Sequence, residues 1–160
     1  MDSLIFENAV KRNSRRLYLI ALTFTKNHYD SEDIVQNVFV KLWKHNKTFE
    51  TDNHIDNWLT AVCINESKNC LKSYFRKNTT DLESISELYS FDSKEDIDIF
   101  TAVMSLPKNE RTVIHLFYYE DLSIKQIAEH LSIKESLVGT RLFRARKSLK
   151  RILGDEWINE

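Results

Sequence analysis

Glycine and proline are nearly missing from this sequence: two glycines and one proline in 160 residues. A sheet protein needs turn residues at intervals of about 8–12 positions, and this chain does not hold them. The same shortage removes any glycine-rich phosphate loop, and with it the P-loop and dinucleotide-binding classes. No apolar run approaches the roughly 18 residues of a membrane span. The longest candidates are Leu17 to Phe24 and Val113 to Tyr119. The opening Met-Asp-Ser-Leu has neither the basic region nor the apolar stretch of a signal peptide, so a cytoplasmic protein without stable membrane insertion is expected. Cysteine is scarce as well. Cys63 and Cys70 stand seven residues apart in a helical pattern, about 10 Å along the axis and too far for an intrachain disulfide. Both read as packing residues in a reducing compartment. The five histidines are scattered, and a metal site would need more ligands near the thiols. Neither a metal nor a cofactor is expected.

What is present points to helices. Hydrophobic residues make up 42% and charged residues 29%, enough of each for a folded, soluble chain. Leu, Ile, Lys and Glu are abundant. The net charge of −1 hides an uneven distribution: +3 over residues 1–77, −6 over 78–98 and +2 over 99–160. Neither flank resembles a strongly basic, autonomous DNA binder, so a nucleic-acid ligand would require affinity from another component. The acidic stretch is polar and Ser-rich, and it reads as a linker too long to be internal to a compact domain. The expected fold is all-α: a helical domain at 1–77, an acidic linker at 78–98 and a second helical domain at 99–160.

Three helical patterns fill the first segment. One runs from about Leu4 to Lys26, with Phe6, Val10, Leu17, Ile20, Ala21 and Phe24 at helical spacing. Asp30 or Ser31 is suited to cap the second, which reaches about His45 and carries two adjacent apolar stripes. After a loop from Asn46 to His54, the third runs from about Ile55 to Lys77. Along it Ala61, Asn65, Lys68, Lys72 and Arg76 fall on one line. Such a line is either a solvated face or, beside Trp58, Tyr74 and Phe75, a track for single-stranded nucleic acid, where cations follow phosphates and rings stack on bases.

In the second segment Ser105-Leu-Pro107 opens a helix, with Ser105 as its cap and Val113, Leu116 and Phe117 on its inner face. Ser123 caps a short helix from Ile124 to His130. Leu131-Ser132-Ile133 forms a tight turn, and a long helix follows to about Leu153, with Gly154 as its stop. Short helix, three-residue turn and longer helix make a helix-turn-helix. On the last helix Val138, Leu142, Ala145, Leu149 and Ile152 form a core stripe. The opposite face holds Ser136, Thr140, Phe143, Arg144, Lys147 and Arg151. From Ser136 to Gly154 there are six cations and no acid. A solvated face has no need of Phe143, whereas a cationic face with hydroxyls and one aromatic suits a DNA major groove.

With these pieces in order, the chain resembles the extracytoplasmic-function (ECF) group of bacterial RNA polymerase sigma factors. Asp33-Ile-Val-Gln36-Asn-Val-Phe39-Val-Lys-Leu-Trp43 is similar to the family's core-polymerase-binding helix. Asn57-Trp58-Leu59 with Asn65 is similar to its promoter-melting helix. Leu106-Pro107-Lys-Asn-Glu-Arg111, Leu122-Ser123-Ile-Lys-Gln-Ile127-Ala128 and Arg141-Leu-Phe-Arg144-Ala145-Arg146 resemble its C-terminal domain. The likeness covers about residues 5–152. It departs at Asn37, where Glu is usual, at Gly139, where Lys or Arg is common, and at Leu137, in place of a small hydroxyl residue.

The resemblance implies a dissociable initiation factor, a monomer when free, whose partners are core RNA polymerase, promoter DNA and an anti-sigma factor, the last able to hold it at the inner membrane. It implies polymerase contacts at Asp33, Gln36 and Asn37. It implies a pocket for an unstacked base of the opened −10 strand between Phe49 and Asn65, with Lys68, Lys72 and Arg76 on the phosphates. The duplex −35 element falls to Ser136, Thr140, Phe143, Arg144, Lys147 and Arg151. The same residues admit two rival readings. A helix-turn-helix regulator would bind its operator without polymerase, usually as a dimer. An enzyme would need a nucleophile–base pair, metal cluster or phosphate loop, and none is legible; His115 and His130 read as ordinary helix residues.

Overall fold

The computed structural model describes residues 1–73 and 94–154, and all of their regular structure is helical. The chain divides into two compact units, Met1–Thr80 and Asp81–Glu160. The fold is all-α, as the composition requires. Residues 74–93, which include Arg76, Tyr74, Phe75 and most of the expected linker, lie outside the described residues.

In the first unit α1 (Ser3–Thr25), α2 (His28–Trp43) and α3 (Asp52–Ser73) each pack on the other two. The Asp2 carboxylate starts α1 by accepting from the Leu4 and Ile5 N–H groups. The cap of α2 is Asn27, whose side chain accepts from the Asp30 N–H at 3.0 Å. The expected caps, Asp30 and Ser31, instead lie within its first turn. Asn27 has the extended backbone that a cap requires, and Asp30 contributes negative charge near the helix N-terminus. Helix α3 begins three residues earlier than its apolar pattern suggests, because Thr51 Oγ1 accepts from the His54 N–H. Cys63 is buried, with its Sγ donating to the Leu17 carbonyl, and neither cysteine is in a disulfide.

The second unit holds α4 (Lys94–Ser105), α5 (Lys108–Tyr118), α6 (Ile124–Leu131) and α7 (Glu135–Leu153). Helix α7 packs on the other three. Helix α4 was not expected: its first turn falls at the end of the segment read as linker. Glu95 and Asp96 suit a helix N-terminus, and Phe100, Val103 and Met104 bury its inner face. Ser105 closes α4, donating to the Ala102 carbonyl, and does not cap α5. That place belongs to Pro107, whose fixed φ suits the corner and whose side chain makes no cap bond.

Ser123 caps α6 in a full capping box with Gln126. The turn into α7 passes through Ser132 at φ 56°, a left-handed conformation that L-residues adopt at a cost of about 1 kcal/mol. Val138, Leu142, Ala145 and Leu149 form the core stripe as expected. Ile152 does not extend it and is 53% exposed. The last turn of α7 has no fully buried residue, so the helix runs beyond the bundle that covers its earlier turns. Gly139 sits inside α7, where a side chain would meet nothing within 4 Å. Packing therefore does not require glycine there, although it weakens the helix by about 1 kcal/mol relative to alanine.

Candidate nucleic-acid interface

The long arm of the helix-turn-helix is positioned by burial. With Val138, Leu142, Ala145 and Leu149 turned into the bundle, the 3.6-residue repeat turns Ser136, Thr140, Phe143, Arg144, Lys147 and Arg151 outward. All six are exposed. Thr140 Oγ1 donates to the Ser136 carbonyl at 3.0 Å. Not every cation of α7 belongs to this face. Arg146 Nε donates to the Tyr118 hydroxyl at 2.8 Å, and its guanidinium lies over the Phe117 and Tyr118 rings. Arg146 therefore ties α7 to α5. Phe117, expected in the core, is only half-buried beneath it.

In the first unit Asp33, Gln36 and Asn37 share an exposed face of α2. The spacing i, i+3, i+4 gathers one carboxylate and two amides within about one turn. Exposed apolar side chains flank them: Tyr29 before, and Val40 and Trp43 after. Phe6 of α1 meets Trp43 edge-on with centroids 5.0 Å apart. On α3 Asn65 and Lys72 are exposed and Lys68 is half-buried. Lys41 of α2 forms an ion pair with Glu66, bracing α3 beside Asn65.

The loop between α2 and α3 folds around Phe49. Its ring stacks on His45 at 4.9 Å and meets His54 and Trp58 at 5.1 and 5.7 Å. Beside it opens a pocket of about 330 Å³ with Ile5, Phe49 and Ile55 as apolar wall and Asp2, Thr48 and Lys47 as polar rim. Asn65 is not among its residues, because the ring is held at the start of α3 by Trp58, and Asn65 stands seven residues further along, about 10 Å on. The pocket's other wall comes from the start of α1, which nothing in the loop's own sequence indicates.

A polar network joins α1 to α3 below this site. Asp56 accepts from Arg12 Nε and Nη2 at 3.0 and 2.8 Å and from the buried Asn13 at 2.8 Å. Arg16 donates to Asn13 Oδ1, Thr60 Oγ1 and the Asp56 carbonyl. Burial raises the Asp56 carboxyl, but hydrogen bonds from Arg12 and Asn13, with the charges of Arg12 and Arg16, outweigh it and hold the group below its ordinary value. Asp56 immediately precedes Asn57 and Trp58, and the network ties this stretch of α3 to α1.

Among the described residues no three His, Cys, Asp or Glu side chains gather as metal ligands, and no helix is long and apolar enough to cross a membrane.

Comparison with known proteins bears on both units. A model of sigma-70 region 2 matches residues 9–80, and one of sigma-70 region 4 matches residues 97–149. Over 135 residues the chain is 30% identical to the RNA polymerase sigma factor SigV of Bacillus subtilis, covering 83% of this chain and 81% of that one. It is 24% identical over 155 residues to the ECF RNA polymerase sigma factor SigM of Mycobacterium tuberculosis, covering 96% and 79%. Its fold is similar to that of the sigma factor RpoE in complex with the anti-sigma factor NepR from Bartonella quintana. That likeness has a TM-score of 0.68 at 20% identity and covers 97% of this chain and 98% of that one. It is also similar to CnrH in complex with the cytosolic domain of CnrY, with a TM-score of 0.59 at 25% identity over 92% and 86% of the two chains.

Proposed function

This chain belongs to the ECF group of the sigma-70 family of RNA polymerase sigma factors, and from that premise we propose how its two units share the work of starting transcription. Residues 1–77 dock on core RNA polymerase through Asp33, Gln36 and Asn37, an acidic and amide face suited to a basic element of the enzyme. The same unit holds the opened −10 strand. The Phe49 pocket takes one unstacked base, offsetting part of the few kcal/mol that leaving the stack costs. Asn65 offers an amide that both donates and accepts, and Lys68, Lys72 and Arg76 hold the phosphates beyond it. Residues 99–160 set α7 into the major groove of the −35 duplex. The acidic stretch ahead of α4 joins the two units and suits a cationic channel of the polymerase.

One observation carries this reading: an exposed cationic face on a helix-turn-helix in the same chain as an exposed acidic and amide face on α2. It explains the modest net charge, because the polymerase supplies much of the DNA affinity. The factor works in the cytoplasm as an initiation factor and not as an enzyme. It is monomeric when free and is held inactive by an anti-sigma partner that covers its DNA-facing surfaces.

The polymerase face gives the test. Asp33, Gln36 and Asn37 are exposed, so truncating them should leave the helices intact. Asp33→Ala with Gln36→Ala is expected to lower co-purification with core RNA polymerase at least tenfold while the far-ultraviolet circular dichroism stays unchanged. Undiminished co-purification would move the contact to another face.

A further inference from the structure

The seam between α1 and α3 changes character along its length. The two helices run in the same direction, since Arg12 meets Asp56, Arg16 meets Thr60 and Leu17 meets Cys63. At Leu17 and Cys63 the seam is apolar and wholly buried. Near the start of α3 it is polar, although Asn13 is wholly buried and Thr60 nearly so. Apolar packing is non-directional and tolerates small slips of one helix on another. Hydrogen bonds demand both a distance and an angle. Asp56 accepts from Arg12 and Asn13, and its carbonyl accepts from Arg16 at 3.1 Å. Such a network adds less stability than apolar packing of the same size, but it admits fewer arrangements. It therefore fixes both the height and the rotation of α3 on α1.

The opposite side of α3 shows what that placement serves. Trp58 follows Asp56 by two residues, about 200° around the helix and about 3 Å along it. Its ring meets His45 at 4.8 Å and Phe49 at 5.7 Å. The first turns of α3 are thus gripped on one side by α1 and on the other by the loop. A displacement at Asp56 is passed through Trp58 to the Phe49 ring. Asn65, Lys68 and Lys72 ride on the same helix and move with it.

We propose that Arg12 and Asp56 are positioning residues for strand opening. Through α3 they hold Phe49, Asn65 and the lysines beyond it at the spacing that receives the opened −10 strand. This rests on the reading that the first unit holds that strand, and it names what keeps the receiving surface in place.

The test uses the full chain bound to core RNA polymerase, on a promoter that this holoenzyme selects from genomic fragments. Arg12→Ala removes the guanidinium, and Asp56→Asn keeps the shape and an acceptor but ends the charge. Both variants should slow the appearance of permanganate-reactive thymines at the −10 element about tenfold, the scale set by a displacement of less than 1 Å. Core binding, −35 duplex binding and circular dichroism should stay unchanged, and a template melted beforehand at the −10 element should restore run-off transcription. Combining the two substitutions should slow opening no further than the stronger one alone, because they break one pair. Asp52→Ala removes only the exposed partner of Arg12, at 3.8 Å, and should open the promoter like the wild type. Wild-type opening by both Arg12→Ala and Asp56→Asn overturns the proposal. So does a loss of core binding that the melted template does not repair, which would make the pair purely structural. If Asn65→Ala and Phe49→Ala also open the promoter at the wild-type rate, the reading of the −10 surface fails as well.

Discussion

Between pH 7 and pH 4 the second unit is expected to lose about 3 kcal/mol of stability through the titration of His115. The imidazole is buried in α5 and stacks on Tyr119 with ring centroids 5.1 Å apart. Burial pushes its pKa down from 6.5 to about 4. One turn earlier on the same helix Arg111 is buried as well, with Nη1 donating to the Leu106 carbonyl. A proton on His115 would set a second positive charge near that guanidinium. The unfolded chain takes up this proton near pH 6.5, whereas the folded chain resists it until about pH 4. Between these values the unfolded state binds more protons, so stability falls as the pH falls. The contribution is fully present above pH 6.5 and fully lost below pH 4. Urea unfolding of the full chain, followed by near-ultraviolet circular dichroism, should show this slope. His115→Leu should remove it, so that the wild type loses about 3 kcal/mol relative to the variant between pH 7 and pH 4. Parallel slopes would mean that His115 is not held neutral by burial.

Removing the Asp56 carboxylate should cost the first unit about 2–3 kcal/mol, the range for losing hydrogen bonds to charged groups and stranding their partners. Asp56→Ala takes the acceptor from Arg12 and one acceptor from the buried Asn13. The same guanidinium provides an internal control. Asp52 also pairs with Arg12, at 3.8 Å, but its side chain is 78% exposed. Asp52→Ala should therefore change stability by less than about 0.5 kcal/mol. Trp43 and Trp58 lie in the first unit and Trp157 in the second, so in a Trp157→Phe background tryptophan fluorescence in a urea titration reports on the first unit. Because the Asp56 carboxyl is held below its ordinary value, its contribution is present above the unfolded carboxylate pKa and is lost as the pH falls through the folded one. Equal small shifts for the two variants would reduce the network to a surface feature.

The periodic and capped parts of the fold were legible in the sequence. The Ser123 cap, the short helix, the turn and the α7 core stripe follow from spacing alone, because a helix that buries one face must repeat every 3–4 residues. Reading failed where several residues competed for one role or where the cause lay far along the chain. Asn27, Asp30 and Ser31 are all good caps, and only the extended backbone at Asn27 decides between them. Helix α4 was missed because its first turn is as acidic as the segment before it, although Ile97, Phe100, Val103 and Met104 carry a helical repeat. Asn13 stands in the polar run Lys11 to Arg16 and reads as surface, yet it is wholly buried because Asp56, 43 residues later, supplies its partner. The cavity beside Phe49 lies beyond what local reading of the loop reaches. Its far side is built by Ile5 and Asp2, and no local pattern connects them to the loop.

The central claim is that this chain makes core RNA polymerase start at promoters that it selects. Run-off transcription with purified core polymerase on fragments of the host genome, read by sequencing, tests this most directly. The account predicts discrete start sites that appear only when the chain is added, each preceded by a shared −35 and −10 pair and opened to permanganate at the −10 element. A chain that binds its own DNA sites without polymerase, and adds no start site when polymerase is present, would contradict it.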